Sequence, residues 1–428
     1  DPVQRWTAVP RRLTLIRMRA DELRAAMVAE LVAGGRIVSP AVQRAFRVVP
    51  RHLFLPDLPP AQAYQDEAVA TKWLDGVAVS SASQPTMMAI MLEQLELRPG
   101  DRVLEIGAGT GYNAALMAEL VGPSGSVVAV DIDEDLVRGA AAHLSAAGST
   151  GVGLATTDGA LGYPEAAPFD RIVLTVGSWD IQPAWWRQLA PGGRLLLPLS
   201  VRGSQLSVAL DLLPGPPPYL SSVSVRSCAF VRLRGSGAGP ESSRPLGAEG
   251  LAVQTGDERE LDTRALLALL ADPGPELPCP VRLAAVDLWD GLGLWLAVHE
   301  PDVCRLLVSA SASDRTLSLL PDGMDGGTVA LLGRYGVAVV VPRDGAGINF
   351  ERRFPIAVRP HGPGGGPLAE RLAALLGAWV AAGRPTASEL RMRAYPAGVV
   401  PPSGPGAVVN KAHSQLVLDW PGVRAPTQ

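Results

Sequence analysis

Apolar residues Leu23, Met27, Leu31 and Val32 recur at helical spacing and predict a helix over residues 18–38; a second short helix over 41–49 ends in Val49-Pro50-Arg51-His52. Near residue 100 the pattern changes. Pro99-Gly100-Asp101 reads as a turn, and residues 102–106 as a buried strand running into glycines. A helix over 113–120 follows, and the unit repeats with a strand at 126–131 and a helix at 134–147. Residues 170–175 and 194–199 supply two more strands. Strands alternating with helices at this pitch predict a parallel, doubly wound α/β sheet, with 206–213 and 223–233 as an antiparallel finishing pair.

The glycine-rich run 235–243 reads as a linker, so the expected division is a first domain at 1–235, a linker at 236–246 and a smaller α+β domain at 247–428. In that last part, strands are expected at 329–332, 337–341 and 356–358, with a helix over 367–382 and glycine- and proline-rich breaks at 362–366 and 401–406. Residues 413–420 alternate with period 2 and read as a closing strand; alternatively its Trp420 reaches an acceptor cleft. A chain of 428 residues exceeds one ordinary core, and 47% hydrophobic with 19% charged residues describes a folded chain.

The net charge of −4 carries no basic excess of the kind that holds a polyanion, so nucleic acid is not an expected partner. Of 38 basic residues only Lys72 and Lys411 are lysine, a compositional bias of the kind GC-rich genomes impose. No apolar run approaches the ~20 residues of a membrane span, and no charged-then-apolar signal opens the chain, so neither membrane nor export is expected. Cys228, Cys279 and Cys304 match neither a disulfide framework nor a zinc site, and His361 and His413 have no metal partner at ligand spacing; a reduced cytoplasm and no metal are the expectations.

The central signal is Val103-Leu104-Glu105-Ile106-Gly107-Ala108-Gly109-Thr110-Gly111-Tyr112. Glycines at 107, 109 and 111 let a strand-to-helix turn press its backbone against a ligand. Their G-x-G-x-G spacing differs from the G-x-G-x-x-G of pyrophosphate-binding folds and favours S-adenosylmethionine, whose amino-acid end needs close backbone approach but brings no phosphate. Asp131, twenty positions after Gly111, can accept both ribose hydroxyls, with Ile132 beside it; Asp158-Gly159 can reach the adenine amine, and Glu105 completes the cofactor-facing set. Alternatively Asp131 is a helix cap; Asp133 and Asp135 are expected to be surface or capping residues.

Four segments, in order, carry a family resemblance: Val49-Pro50-Arg51-His52-Leu53-Phe54 with Ala63-Tyr64-Gln65-Asp66; Val79-Ser80-Ser81-Ala82-Ser83-Gln84-Pro85; the glycine motif with Tyr112-Asn113-Ala114-Ala115; and Pro191-Gly192-Gly193-Arg194-Leu195. Over about residues 20–235 the chain resembles the protein-L-isoaspartate O-methyltransferases. The resemblance implies a Rossmann-like class I methyltransferase domain with a helical N-terminal part, S-adenosyl-L-methionine as donor and S-adenosyl-L-homocysteine as product. It also implies a loop over the donor in which Ser81 and Ser83 contact the substrate carboxylate, with Ser83 and Gln84 beside the donor and the Tyr64–Asp66 segment closing over the acceptor. Ser80 to Ser83 read without the resemblance are a polar turn capping a helix over 85–95.

Two departures bear on the acceptor. The chain has Thr157-Asp158-Gly159 where the family usually has Gly-Asp-Gly, and a loop over 176–186 with Trp179, Trp185 and Trp186 where it has small residues. These tryptophans are either core and lid packing or a peptide platform. The added C-terminal half resembles, in layout, actinobacterial relatives encoded with ribosomally made, modified peptides such as lanthipeptides and graspetides. That likeness implies methylation of an aspartate in a constrained precursor peptide, the ester then cyclising to aspartimide and hydrolysing to isoaspartate. The alternatives are repair of isoaspartyl residues in aged proteins and a catalytically silent module that binds donor and peptide. A carboxylate is ionised at pH 7, so its methylation asks for positioning rather than a strong base.

Overall fold

The computed structural model describes residues 11–240, 243–247, 250–256, 259–309, 319–320, 326–343, 353–402, 404 and 406–423. Helices α1 (Arg11–Ala33) and α2 (Pro40–Val48) and the single turn α3 (Pro60–Ala63) precede a hairpin, β1 (Val69–Leu74) with β2 (Val77–Ala82), and helix α4 (Pro85–Leu95). The first helix stops at Ala33, short of the expected 38, because Gly34 and Gly35 follow and Gly35 turns to φ +66°. Ser39 starts the next one, its hydroxyl accepting from the Val42 N–H.

The repeating unit then appears as expected: β3 (Arg102–Ile106), α5 (Tyr112–Val121), β4 (Ser126–Asp131), α6 (Glu134–Ala146), β5 (Val152–Thr156), β6 (Phe169–Leu174), α7 (Pro183–Gln188) and β7 (Leu189–Val201). These strands lie parallel in the order β5-β4-β3-β6-β7, and antiparallel β8 (Ser204–Leu213) and β9 (Tyr219–Ser227) extend that sheet. The central strands are buried on both faces, which is why they read as continuous apolar runs. Chain order reverses between β3 and β6, so a crevice opens at their C-terminal ends.

A second, all-antiparallel sheet runs β10-β11-β13-β14-β15-β16-β12. It is built from β10 (Ser243–Pro245), β11 (Leu251–Thr255), β12 (Leu277–Leu283), β13 (Val303–Val308), β14 (Gly326–Leu332), β15 (Val337–Pro342) and β16 (Phe354–His361). Helices α8 (Thr263–Leu270), α9 (Leu292–His299) and α10 (Gly365–Ala381) accompany it. Val337, Val339 and Val341 cluster with Leu266 and Leu270 on one face, while Ala338 and Val340 cluster with Leu372 and Leu376 on the other, the period-2 alternation of a strand covered on both sides.

The division of the chain differs from the expected one in two places. Strands β17 (Arg391–Pro396), β18 (Ala407–Asn410) and β19 (Ser414–Asp419) leave the C-terminal block and return to the first sheet, where β17 pairs with β9 through Arg393↔Ser221 and Ala394↔Leu220. Otherwise β9 would be an open edge with a row of unpaired backbone groups. Second, the expected finishing strand ends at Ser227, and residues 228–240 are a strap rather than a linker: Ser236 N–H donates to Asp158, Gly237 is buried, and Arg232 donates to the Gly239 and Pro240 carbonyls. Residues 241–242 of the expected linker, and 403 and 405 of the glycine- and proline-rich break, lie outside the described residues. One hydrophobic cluster joins Val208 and Leu210 of the first sheet to Trp295, Leu376 and Trp379, so the two sheets share a core.

Candidate active site

The glycine turn after β3 sits at the crevice. Gly109 has φ +49° and Gly111 φ +85°, conformations that L side chains rarely adopt. Two connected clefts meet there. The outer one, about 540 Å³, is lined by Ser81, Gly107, Gly109, Asp131, Ile132 and Gly159, with Thr175, Val176 and residues 231–234 of the strap. The inner one, about 520 Å³, is lined by Arg51, Ser81, Ser83, Glu105, Tyr112 and Asn113, and shares Gly107, Gly109 and Thr175 with the first. A Cβ on Gly109 would project across the gap to 3.9 Å from Ser80 Oγ and the Ser81 carbonyl.

Both acids at the turn keep acceptor capacity for a ligand. Asp131 Oδ2 accepts from the Gly109 N–H (3.0 Å) and Oδ1 from the Asp133 N–H (3.2 Å), leaving lone pairs toward the outer cleft. Burial raises its pKa despite those two donors. Glu105 is completely buried; its Oε1 accepts from Asn113 Nδ2 at 2.7 Å, and its Oε2 is without a hydrogen-bond partner. Burial pushes this carboxyl up to about 8. A buried acceptor without a partner in the lining of a cleft is open to a donor from a ligand.

Arg51, 1% exposed, is the buried cation of the inner cleft, and its role was missed in the sequence. Its Nε donates to the Ala63 carbonyl (2.8 Å), its Nη2 to the Ser83 carbonyl (3.0 Å), and its guanidinium lies 5.1 Å from the Tyr112 ring centroid. It therefore ties the 59–66 segment to the end of the hairpin. The only signal was the position of Arg51 between Pro50 and His52 inside an apolar stretch. Strap residues 231–234 were also missed, because Val231 to Leu233 continue the apolar alternation of a strand.

The hairpin and strap are latched over the outer cleft by one acid. Lys72 Nζ of β1 lies 3.0 Å from Asp133 Oδ2 and 2.6 Å from Asp135 Oδ1, and Arg234 of the strap pairs with both oxygens of Asp133. Hydrogen bonding from Arg234, then Lys72, holds Asp133 below the usual carboxylate range although burial opposes it. Asp133 and Asp135, expected as caps or surface residues, thus fasten the lid.

Several expected site residues are placed elsewhere. Asp66 lines neither cleft: its carboxylate accepts from Thr86 N–H (2.8 Å), Thr86 Oγ1 (2.7 Å) and Gln84 Nε2 (3.2 Å), so Asp66 and Gln84 together fasten the start of α4. Asp158 accepts from Ala160 N–H and Ser236 N–H; burial raises its pKa, but these two bonds bring it below its ordinary value, and its carboxylate holds the strap instead of facing the cleft. Gly111 serves packing: a Cβ there would meet Ala140 Cβ of α6 at 3.2 Å.

Tyr64 is buried with its hydroxyl 2.9 Å from His52 Nδ1, away from both clefts. Trp185 is fully buried and donates from Nε1 to the Gly159 carbonyl at 2.9 Å, supporting the cleft wall from behind. Trp420 follows the closing strand, donates to the Thr386 carbonyl, stacks on His299 and lines neither of the two clefts. Trp179 lines a separate trough.

In sequence, known proteins match the first half of the chain. A family model described as Protein-L-isoaspartate(D-aspartate) O-methyltransferase (PCMT) matches residues 22–236. The protein-L-isoaspartate O-methyltransferase of Hyperthermus butylicus is 39% identical over 223 residues, covering 50% of this chain and 89% of that protein. Its counterpart in Ignicoccus hospitalis is 38% identical over 179 residues, covering 42% and 82%. A solved protein-L-isoaspartate O-methyltransferase superposes with a TM-score of 0.48 at 24% identity, covering 86% of this chain and 96% of that structure.

Proposed function

The chain belongs to the protein-L-isoaspartate(D-aspartate) O-methyltransferase family, and from that premise we propose that it methylates the side-chain carboxylate of an aspartate held in a structured ribosomal peptide of the lanthipeptide or graspetide kind. The broader activity is that of an S-adenosyl-L-methionine-dependent carboxyl O-methyltransferase. Among the described residues no helix is long and apolar enough to cross a membrane.

S-adenosyl-L-methionine supplies an electrophilic methyl group and leaves as S-adenosyl-L-homocysteine. The residues present fit it: Glu105 Oε2 is an orphan acceptor for an ammonium, Asp131 retains lone pairs for ribose hydroxyls, and Gly109 leaves room between glycine turn and hairpin. The acceptor carboxylate arrives ionised, so the protein's task is to hold one oxygen in line with the methyl in a site that excludes water. Ser81, which lines both clefts, and Ser83, which lines the inner one, are the residues assigned to orient it with their hydroxyls.

Methylation replaces a carboxylate oxygen's charge with a methyl ester. The backbone amide nitrogen following the aspartate then attacks the ester carbonyl, loses its proton, and expels methoxide, which takes up a proton as methanol; the product is a five-membered succinimide. The observation that favours a dedicated peptide substrate is the C-terminal hairpin: β17 to β19 extend the methyltransferase sheet itself and bring residues 408–413 opposite the Trp179 loop. The family relatives favour a second reading, methylation of isoaspartyl residues in damaged proteins.

Mass spectrometry with S-adenosyl-L-methionine and two acceptors separates the readings. Gain of one methyl and loss of methanol on the modified precursor encoded beside the gene, with no reaction on a linear isoaspartyl peptide, is the expected result. The opposite pattern would return the protein to repair.

A further inference from the structure

A trough of about 1600 Å³ lies beside the donor cleft, between the Trp179 loop, strap residues 236–240 and residues 408–413 of the C-terminal hairpin. Its charges do not balance. Asp180 is its acid, and that carboxylate is consumed internally, Oδ1 accepting from Ile181 N–H (2.7 Å) and Ser414 Oγ (2.5 Å), Oδ2 from His413 N–H (2.6 Å). Lys411, one of two lysines in the chain, donates only to the Trp179 and Ser200 carbonyls and lies 4.2 Å from the Trp179 ring centroid. Arg202 on the same wall donates to the Val298 carbonyl. Asp180 acts on Lys411 only through its field, without an ion pair, and among the described residues Arg202 has no carboxylate at ion-pair distance, so two cations against one acid leave the trough a net positive charge beside an aromatic face.

The trough and the donor cleft share walls. Val176 lines the cleft and Trp179 the trough, three residues apart; Arg234 and Ser236, two apart, do the same on the strap. At no more than ~3.6 Å per residue, the two sites are within about 11 Å of each other along either wall. An extended peptide covers that distance in three or four residues.

We propose that this trough docks an acidic side chain of the peptide substrate, lying a few residues from the methylated one, with Lys411 and Arg202 as the charge partners and Trp179 as the floor. The inference rests on the reading of the protein as a peptide carboxyl methyltransferase, and gives its C-terminal hairpin a role in substrate choice. An anion against Lys411 completes what carbonyl oxygens alone satisfy only in part. Burial lowers this ammonium to about 8, so it remains charged at neutral pH.

The test uses the full chain, saturating S-adenosyl-L-homocysteine and two fluorescein-labelled, ring-constrained twelve-residue peptides with one aspartate held in the ring, flanked by Asp and Glu in one and by Asn and Gln in the other. Fluorescence anisotropy should show the acidic peptide binding at least tenfold more tightly. Lys411→Ala should erase that difference, Lys411→Arg should keep most of it, and calorimetric affinity for S-adenosyl-L-homocysteine should be unchanged in both, which certifies that they fold. Equal binding of the two peptides by the unaltered protein overturns the proposal, as does a preference that survives Lys411→Ala together with Arg202→Ala. A preference without methyl transfer to any peptide supports the docking site while removing the carboxyl-acceptor reading; transfer without preference removes the docking site alone.

Discussion

Lowering the pH, or replacing Glu105 by Gln, should weaken donor binding by an amount that follows from the burial of one carboxyl group. In the free protein that carboxyl is fully buried, uses one oxygen on Asn113, and has its pKa pushed up to about 8. It is therefore about 0.9 protonated at pH 7. An ammonium docked on Oε2 needs the carboxylate, so binding expels the proton. The apparent Kd is raised over that of the ionised protein by about 100-fold at pH 6 and about 11-fold at pH 7, so affinity for S-adenosyl-L-homocysteine should improve about ninefold across that unit. Titration calorimetry at pH 7 in two buffers of different ionisation enthalpy should read release of about 0.9 proton per site.

Glu105→Gln should abolish both the proton release and the slope and cost about 10- to 100-fold in affinity at pH 8, the range of a lost charge-assisted hydrogen bond. The same group leaves a mark on stability. Its folded pKa lies above the ordinary value of 4.5, so its contribution is complete below that pH and is lost as pH rises toward 8; ligand-free Glu105→Gln should then gain on the unaltered protein over that window. A Kd unchanged between pH 6 and 7, with no proton released, would refute the assignment of Oε2 to a cation.

Asp133→Asn removes the shared anchor of hairpin and strap, so S-adenosyl-L-homocysteine should dissociate up to about tenfold faster in stopped flow, and the salt sensitivity of that rate should disappear; an unchanged rate would mean that other contacts hold the lid. Arg51→Ala strands the Ala63 and Ser83 carbonyls and empties a buried volume, for an expected loss of about 3–5 kcal/mol by urea denaturation, whereas a loss under 1 kcal/mol would show that water takes over both carbonyls. Trp420→Ala should cost about 3–5 kcal/mol of stability and leave donor affinity as it is, because the ring fills the core beside His299; donor affinity falling with it would place Trp420 in the site after all.

What was legible in the sequence and what was not divides along a physical line. Central parallel strands bury both faces, so Val103 to Ile106 and Val127 to Val130 announce themselves as apolar runs, and glycines at positive φ mark the turn between them. Lateral pairing leaves no such trace. The alternation of residues 414–419 fixes a strand and its buried face but is silent on which sheet edge receives it, so the return of the C-terminal hairpin to β9 had to be seen.

The same limit explains the misplaced site residues. Asp66, Gln84 and Asp158 are polar groups next to the cleft in sequence, and each spends its hydrogen bonds on holding a neighbouring segment: the start of α4 in two cases, the strap in the third. Residue type and spacing report that a carboxylate is near a site; only the count of donors already facing it tells whether any capacity remains for a ligand. By that count Glu105 and Asp131 are open acceptors and Asp66 and Asp158 are committed, although in space all four acids stand beside the glycine turn, the end of the hairpin or the strap. The strap makes the same point for the backbone. Ser236 and Gly237 read as flexible because they are small, yet small size is what lets residues 235–239 pass close over Asp158 and Trp179, where added Cβ atoms on Gly235 and Gly239 would lie 2.6 Å and 2.2 Å from those side chains.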